Sequence, residues 1–311
     1  MPKPFFALAP LDDVTDAAFR RLIARYGKPD AMFTEFTSGD GLVLADAEGQ
    51  KKLRKKLIYS EVERPIVAQI FTSSPERMEK ASHLVAELGF DGVDINMGCP
   101  DRAVEKSGCG AALIKNPKRA RELIRAATKS GLPVSLKTRI GYNKDELDTW
   151  LSELLAEEPA AIAIHARTRK EMSDVPARWD TIARAVQIRD KLGSKALIIG
   201  NGDVEDMSDA QKRAEETKCD GVMLGRAIFG SPWLFANRTD APTPKERLKA
   251  LSEHLQLFDE LLSETTSYAT MKKHFKSYVS GWDGAKELRI RLMETDGVAD
   301  AQNIIAGILP A

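Results

Sequence analysis

Cysteine is scarce in this chain: 3 residues in 311, at positions 99, 109 and 219. An odd number without regular spacing argues against a disulfide scaffold. No grouping of these cysteines with the 4 histidines has the short paired spacing of a zinc site, and no metal is expected. Net charge is absent too, since 46 Lys and Arg balance 46 Asp and Glu. Bulk charge therefore selects neither for nor against nucleic acid, and any RNA-binding face has to come from local clustering. No apolar run approaches the ~20 residues that span a bilayer. The opening MPKPFFALAP holds too short an apolar stretch for an export signal and reads better as a strand. Free thiols without an export signal point to the reducing cytoplasm as the expected compartment. A monomer is expected.

What is present is an ordinary globular composition, 43% hydrophobic and 30% charged. Short apolar runs alternate with longer amphipathic ones. Strands are predicted at 5–9, 31–35, 65–71, 92–96, 133–138, 161–165, 196–200 and 220–224. Helices are predicted at 17–27, 74–89, 117–131, 144–158, 179–193 and 204–218. In the clearest helix, Ser74 can cap the start, Pro75 suits the first turn, and Met78, Ala81, Leu84, Val85 and Leu88 share one face before Gly89. A polar, weakly patterned stretch between 36 and 64 carries the basic run KKLRKKL (51–57).

The strands are nearly continuous apolar runs, as parallel strands buried on both faces must be. The predicted fold class is α/β: a (β/α)8 TIM barrel, with eight units over roughly 225 residues. An open doubly wound sheet is the alternative. After SPWLF (231–235) comes a proline-containing linker, and only helical patterns follow. Two domains are expected, a barrel over 1–240 and a small helical domain over 241–311.

In such a barrel the chemistry gathers where strands end. Gln69 lies near one strand end. Asn96 ends another and leads to Cys99, which Gly98 and Pro100 fix on a turn. Lys137 interrupts a β-rich run, where a buried amine is costly unless paired or useful. His165 ends the strand at 161–165. Gly200-Asn201-Gly202-Asp203 and Gly225-Arg226 occupy the loops after the last two strands, where backbone N–H groups bind phosphate in many barrels. This set suits flavin mononucleotide (FMN). The phosphate would meet the glycine loops, the pyrimidine edge an amide such as Gln69, and the charge of the reduced ring Lys137. Cys109, between two glycines, reads as a packing residue.

DINMGCPDRAVEKSGCGAALIKNP (94–117) resembles the signature of the tRNA-dihydrouridine synthases, flavin-dependent barrel enzymes. APLDDVTDAAFRRL, VAQIF, SLKTRIG, IHARTR, IIGNGDV and VMLGRAIFGSPWLF follow in that family's order. The tail MKKHFKSYVSGWDGAKELRIRL is similar to its helical RNA-binding domain. Departures stand at Leu11, where methionine is common, and at Asp13 and Ala166, where glycine is common.

The resemblance implies that Pro10, Leu11, Asp12, Gln69, Lys137, His165, Asn201, Gly202, Asp203, Gly225 and Arg226 hold FMN. It implies that Asn96 and Arg167 face the target base, that NADPH is the reductant, and that tRNA is the partner. Hydride would pass to C6 of a uridine, and Cys99 would act as the general acid at C5. A flavin barrel acting on a free pyrimidine, such as dihydroorotate, is the alternative function. Lys272, Lys273, His274 and Lys276, interleaved with Phe275, Tyr278 and Trp282, form a candidate RNA patch.

Overall fold

The computed structural model describes residues 3–236 and 238–309. The outer bounds expected for the two domains, residues 1 and 311, lie outside these. Among the described residues nine strands form one parallel sheet. They are β1 (Phe5–Leu8), β2 (Met32–Phe33), β3 (Thr37–Ser38), β4 (Ile66–Phe71), β5 (Gly92–Met97), β6 (Val134–Arg139), β7 (Ala161–His165), β8 (Leu197–Asn201) and β9 (Gly221–Leu224). The order β1-β9-β8-β7-β6-β5-β4-β2 closes on itself. The N–H of Leu8 donates to the Ala31 carbonyl at 3.0 Å, and that of Asp30 to Phe6 at 2.9 Å. β3, a two-residue strand with no apolar run to announce it, only extends the pairing along the end of β4.

Side-chain alternation sorts each strand into two faces. Ile162 and Ile164, like Val93 and Ile95, face the surrounding helices and join the large outer core. The opposite face fills the barrel with a small separate cluster: Phe5, Ala7, Ala31, Phe33, Ala163, Ile199 and Met223. Large and small side chains alternate there, as a tapering interior requires. Two residues further along the same inward face stand Ala9, Gln69, Asn96, Lys137, His165, Asn201 and Gly225. Strand parity alone therefore collects the polar groups at one end of the barrel.

The helices that cover the sheet fall where predicted, at Ala17–Tyr26, Pro75–Glu87, Pro117–Thr128, Leu147–Leu155, Asp180–Lys191 and Met207–Thr217. Ser74 accepts from the Arg77 N–H at 3.4 Å with Pro75 in the first turn. The polar stretch after β3 also folds, into helices Gly39–Leu44 and Ala47–Lys55. The second of these buries no residue, so it has no apolar stripe for sequence patterning to detect. One guanidinium anchors this excursion. Arg20, fully buried, donates to Glu63 at 2.8 Å, to the Thr15 carbonyl at 2.7 Å and to the Ile58 carbonyl at 2.6 Å. Removing either partner would strand a buried charge at a cost of ~3–5 kcal/mol.

The tail forms helices Pro244–Leu262, Ala269–Tyr278, Ala285–Met293 and Val298–Ala306. Thr243 and Glu246 make a reciprocal capping box at its entry. The first tail helix packs along Ala17–Tyr26. His254 stacks on Phe19 at 4.8 Å between ring centroids, and His274 meets His254 edge-on at 4.7 Å. No described helix is long and apolar enough to cross a membrane.

Candidate active site

A cavity of about 320 Å³ opens at the carboxyl ends of the strands. It is walled by Pro10, Leu11 and Asp12 after β1, Gln69 on β4, Asn96 and Cys99 at β5, and Lys137 on β6. His165 on β7, Asn201, Gly202 and Asp203 at β8, and Gly225 and Arg226 after β9 complete it. Thr138, Arg139, Phe36 and Ser173 also line it. Arg139 stood beside Lys137 in the sequence and obeys the same inward parity, a signal that could have singled it out. Phe36 gave none, lying at the start of a stretch without pattern.

The Cys99 turn is held on three sides. Asn96 Oδ1 accepts from the N–H groups of Gly98 and Cys99 at 3.2 and 2.9 Å. Arg139 Nε donates to the Gly98 carbonyl at 2.8 Å, and the Ala111 N–H to the Cys99 carbonyl at 2.9 Å. That last contact needs the backbone of residue 110 close by. Gly110 has φ +59, and a Cβ there would lie 2.6 Å from the Cys99 carbonyl oxygen. Gly110→Ala is therefore expected to displace the turn and to lower stability by about 1–2 kcal/mol; thermal melts and the Cys99 alkylation rate measure the two effects. Burial pushes the Cys99 thiol upward, with Asp101 and Asp12 adding to the rise, so it stays protonated near neutrality. Cys109 is buried with its sulfur 3.6 Å from the Ser107 carbonyl.

The wall next to this turn is cationic, since β6 pairs with β5 and sets Lys137 beside Asn96. Lys137 Nζ donates to Asn201 Oδ1 at 3.1 Å, while Asn201 Nδ2 donates to the Met223 carbonyl at 2.8 Å. Burial and the adjacent Arg139 bring the Lys137 ammonium down to about 8. His165 is held near 2 by burial and by the cations around it, and so stays neutral. Its Nε2 lies 3.0 Å from Arg167 Nη1. A guanidinium only donates, so Nε2 accepts and Nδ1 carries the proton.

Arg167 departs from expectation. It is 2% exposed and does not line the cavity. Its guanidinium donates to the Val175 carbonyl at 2.5 Å, to His165 and to Asp203. The loop after β7 folds back over it, closed by the Arg178 N–H on the Ala166 carbonyl at 2.8 Å. In this structure Arg167 orients His165 and Asp203 and faces no open space where a base could lie.

Asp203, at φ +50, also accepts from Arg226 Nη2 at 2.6 Å and from the Ala177 N–H at 2.9 Å. Burial works against its charge, yet these donors hold its carboxyl below the ordinary value. Arg226, 63% exposed, is thereby aimed at the mouth. The backbones of Gly202, after the last β8–β9 rung, and of Gly225 both line the cavity beside Arg226. Gly202, at φ +123, leaves room that a Cβ would fill against His165. Two side-chain-free backbone turns beside an arginine form a cradle that fits a phosphate.

The rim joins barrel to tail. Asp13 takes φ +55, the conformation a glycine gives freely, with its N–H on Glu35 at 2.6 Å. Lys273 pairs with Asp13 at 3.0 Å and Lys56 with Asp12 at 2.5 Å. The aromatic part of the expected RNA patch is corrected here. Met271, His274, Phe275 and Tyr278 are buried, because helical periodicity puts all four on the face toward the core. Lys272 bonds the Met293 carbonyl at 2.9 Å; Lys276 is exposed.

Residues 7–308 match the family model described as Dihydrouridine synthase. A probable tRNA-dihydrouridine synthase of Staphylococcus aureus (strain COL) is 41% identical over 98% of this chain and 93% of its own length. Probable tRNA-dihydrouridine synthase 2 of Bacillus subtilis (strain 168) is 42% identical over 98% and 94%. Among solved structures, morphinone reductase in complex with tetrahydroNAD superposes with a TM-score of 0.52 at 15% identity, covering 78% of this chain and 89% of that one. Histamine dehydrogenase from Rhizobium sp. 4-9 gives 0.54 at 12% identity, over 81% and 48%. These two likenesses concern the fold.

Proposed function

Because the chain belongs to the dihydrouridine synthase family, whose enzymes reduce tRNA uridine, we propose that it holds FMN in the cavity, takes its electrons from NADPH and uses Cys99 as proton donor. The observation that carries this reading is the placement of the Cys99 thiol on a fixed turn in one cavity with Lys137 on the neighbouring strand and with Gly202, Gly225 and Arg226 at β8 and β9.

Gly202, Gly225 and Arg226 would hold the phosphate, and Gln69, Lys137, His165 and Asn201 the ring system, with Pro10, Leu11 and Asp12 along one edge. Bound FMN, once reduced, supplies a hydride for C6 of a uracil. The chain's own residues do the rest. Cys99 donates its proton to C5, so the pyrimidine gains two hydrogens across one double bond. Asn96 keeps one amide hydrogen for a ligand carbonyl. Lys137 offers a cation where negative charge gathers at the pyrimidine edge of the ring system.

The RNA must deliver its base out of the stack. Residues 241–311 read as the helical tRNA-binding unit, with Lys272, Lys273 and Lys276 at the rim. Beside the tail, where Lys55 meets Glu264 at 3.8 Å, Lys51 and Arg54 project from helix Ala47–Lys55 into solvent. Replacing both with glutamate is expected to weaken tRNA binding about tenfold at low salt and to flatten its salt dependence by about two phosphates, with flavin content unchanged. Filter binding over a salt series checks this.

The whole reading is tested by anaerobic incubation with NADPH and unmodified tRNA. The protein should be yellow, bleach with NADPH and add two hydrogens to one uridine by mass mapping. Protein that takes up no flavin would remove the cofactor assignment. Reduction of free pyrimidine but not of tRNA would transfer the activity to a small-molecule substrate.

A further inference from the structure

Inside the barrel, below Asn96 on β5, lies an acid that the reaction outlined above leaves idle. Asp94 is buried, and burial pushes its carboxyl up to about 6 against the pull of Ser135, Gln69 and Lys137. Its oxygens accept from Ser135 Oγ at 2.5 Å and from Gln69 Nε2 at 2.7 Å. Gln69 Oε1 accepts from Asn96 Nδ2 at 2.9 Å, and Asn96 Oδ1 accepts from the Cys99 and Gly98 N–H groups.

The chain of bonds has one direction, set at both ends. An ionised carboxylate only accepts, and a backbone N–H only donates. Gln69 must therefore turn its nitrogen to Asp94, and Asn96 its oxygen to the turn. Each amide nitrogen retains one more hydrogen, and both residues line the cavity. A ligand edge meeting them must carry oxygens, as a uracil or flavin dione does, and not an exocyclic amine.

We infer that Asp94 is a positioning residue, which acts through the Gln69–Asn96 amide pair to fix the donor polarity of the cavity and to hold the Cys99 turn. The inference rests on the proton-donor role proposed for Cys99, so its test needs a readout that does not pass through turnover.

Asp94→Val removes the acceptor at similar volume. Asp94→Asn retains an oxygen for Gln69 and gives Ser135 a donor to accept. Two quantities are followed on FMN-loaded protein: the alkylation rate of Cys99 by iodoacetamide, read on its own peptide, and the kcat for dihydrouridine formation. In D94V alkylation is expected to rise, and kcat to fall, by about tenfold, the scale of one broken buried hydrogen bond. D94N should stay within about threefold of the parent in both. Links in series also predict that D94V adds nothing to Asn96→Ala in the double variant.

Parent-like alkylation and turnover in D94V, or effects that multiply in the double variant, overturn the relay. Altered alkylation with parental turnover supports the relay and removes the role given to Cys99. Should D94V fail to accumulate folded, Gln69→Glu decides. It sets a second carboxylate against Asp94 and should loosen the turn in the same way. Parental alkylation in Q69E rejects the proposal.

Discussion

Replacing Cys99 with alanine is expected to slow dihydrouridine formation by about 10²- to 10⁴-fold, the usual contribution of a positioned general acid, while flavin reduction by NADPH proceeds at the parental rate. The two halves separate because the thiol stands on the β5 turn, whereas the cation and the phosphate cradle belong to β6, β8 and β9. Burial raises the thiol, so the proton to be donated is present at neutral pH and is lost only as pH climbs through that raised value. Stopped-flow bleaching and single-turnover assays on tRNA measure the halves independently. A Cys99→Ala enzyme that reduces uridine as fast as the parent would dispose of the acid role. Loss of both halves together would mean that the turn supports the cofactor instead.

Replacing Lys137 with methionine should have the opposite signature: both halves slow, by about 10²-fold or more, because a half-buried cation no longer meets the charge that develops at the ring system. Methionine keeps the stem in place and removes only the ammonium and its bond to Asn201. The pH behaviour adds a second check. Burial lowers this ammonium from the ordinary 10.5 to about 8. In the parent the rate should therefore decline as pH rises through about 8, and K137M should lack that limb. The linkage to stability has a definite sign. Between about 8 and 10.5 the unfolded chain binds the proton and the folded one does not, so stability from this group increases with pH across that window. Denaturant titrations at several pH values should show that slope in the parent and not in K137M. A variant with parental rates would leave Lys137 as a structural amine.

Much of this was legible in the sequence because burial on both faces makes a parallel strand a continuous apolar run. Once eight such runs are placed, the period of two sends Gln69, Asn96, Lys137, His165 and Asn201 to the same side, and their positions near strand ends bring them to one mouth. The remainder was hidden for physical reasons. The excursion at 39–65 buries too little to show a period. The tail aromatics were read by spacing from the lysines, when the stripe of 271, 274, 275 and 278 is a core face. The resemblance put Arg167 at the substrate, but its burial depends on a loop that returns over it at Arg178. Asp94 gave the same kind of clue as Lys137, an ionisable group inside a buried strand, and went unread beside the louder GCP turn.

The arginine that staples three segments beneath helix Ala17–Tyr26 has a consequence for how such a chain can diversify. With Arg20 holding Thr15, Ile58 and Glu63, the outward helix Ala47–Lys55, which packs against the core through Leu53, has little other duty in holding the molecule together. Its surface letters can be rewritten, charge by charge, while the chemistry at the strand ends stays untouched. Descendants of one catalyst could thus be readdressed to different nucleotides by editing a single pinned arm.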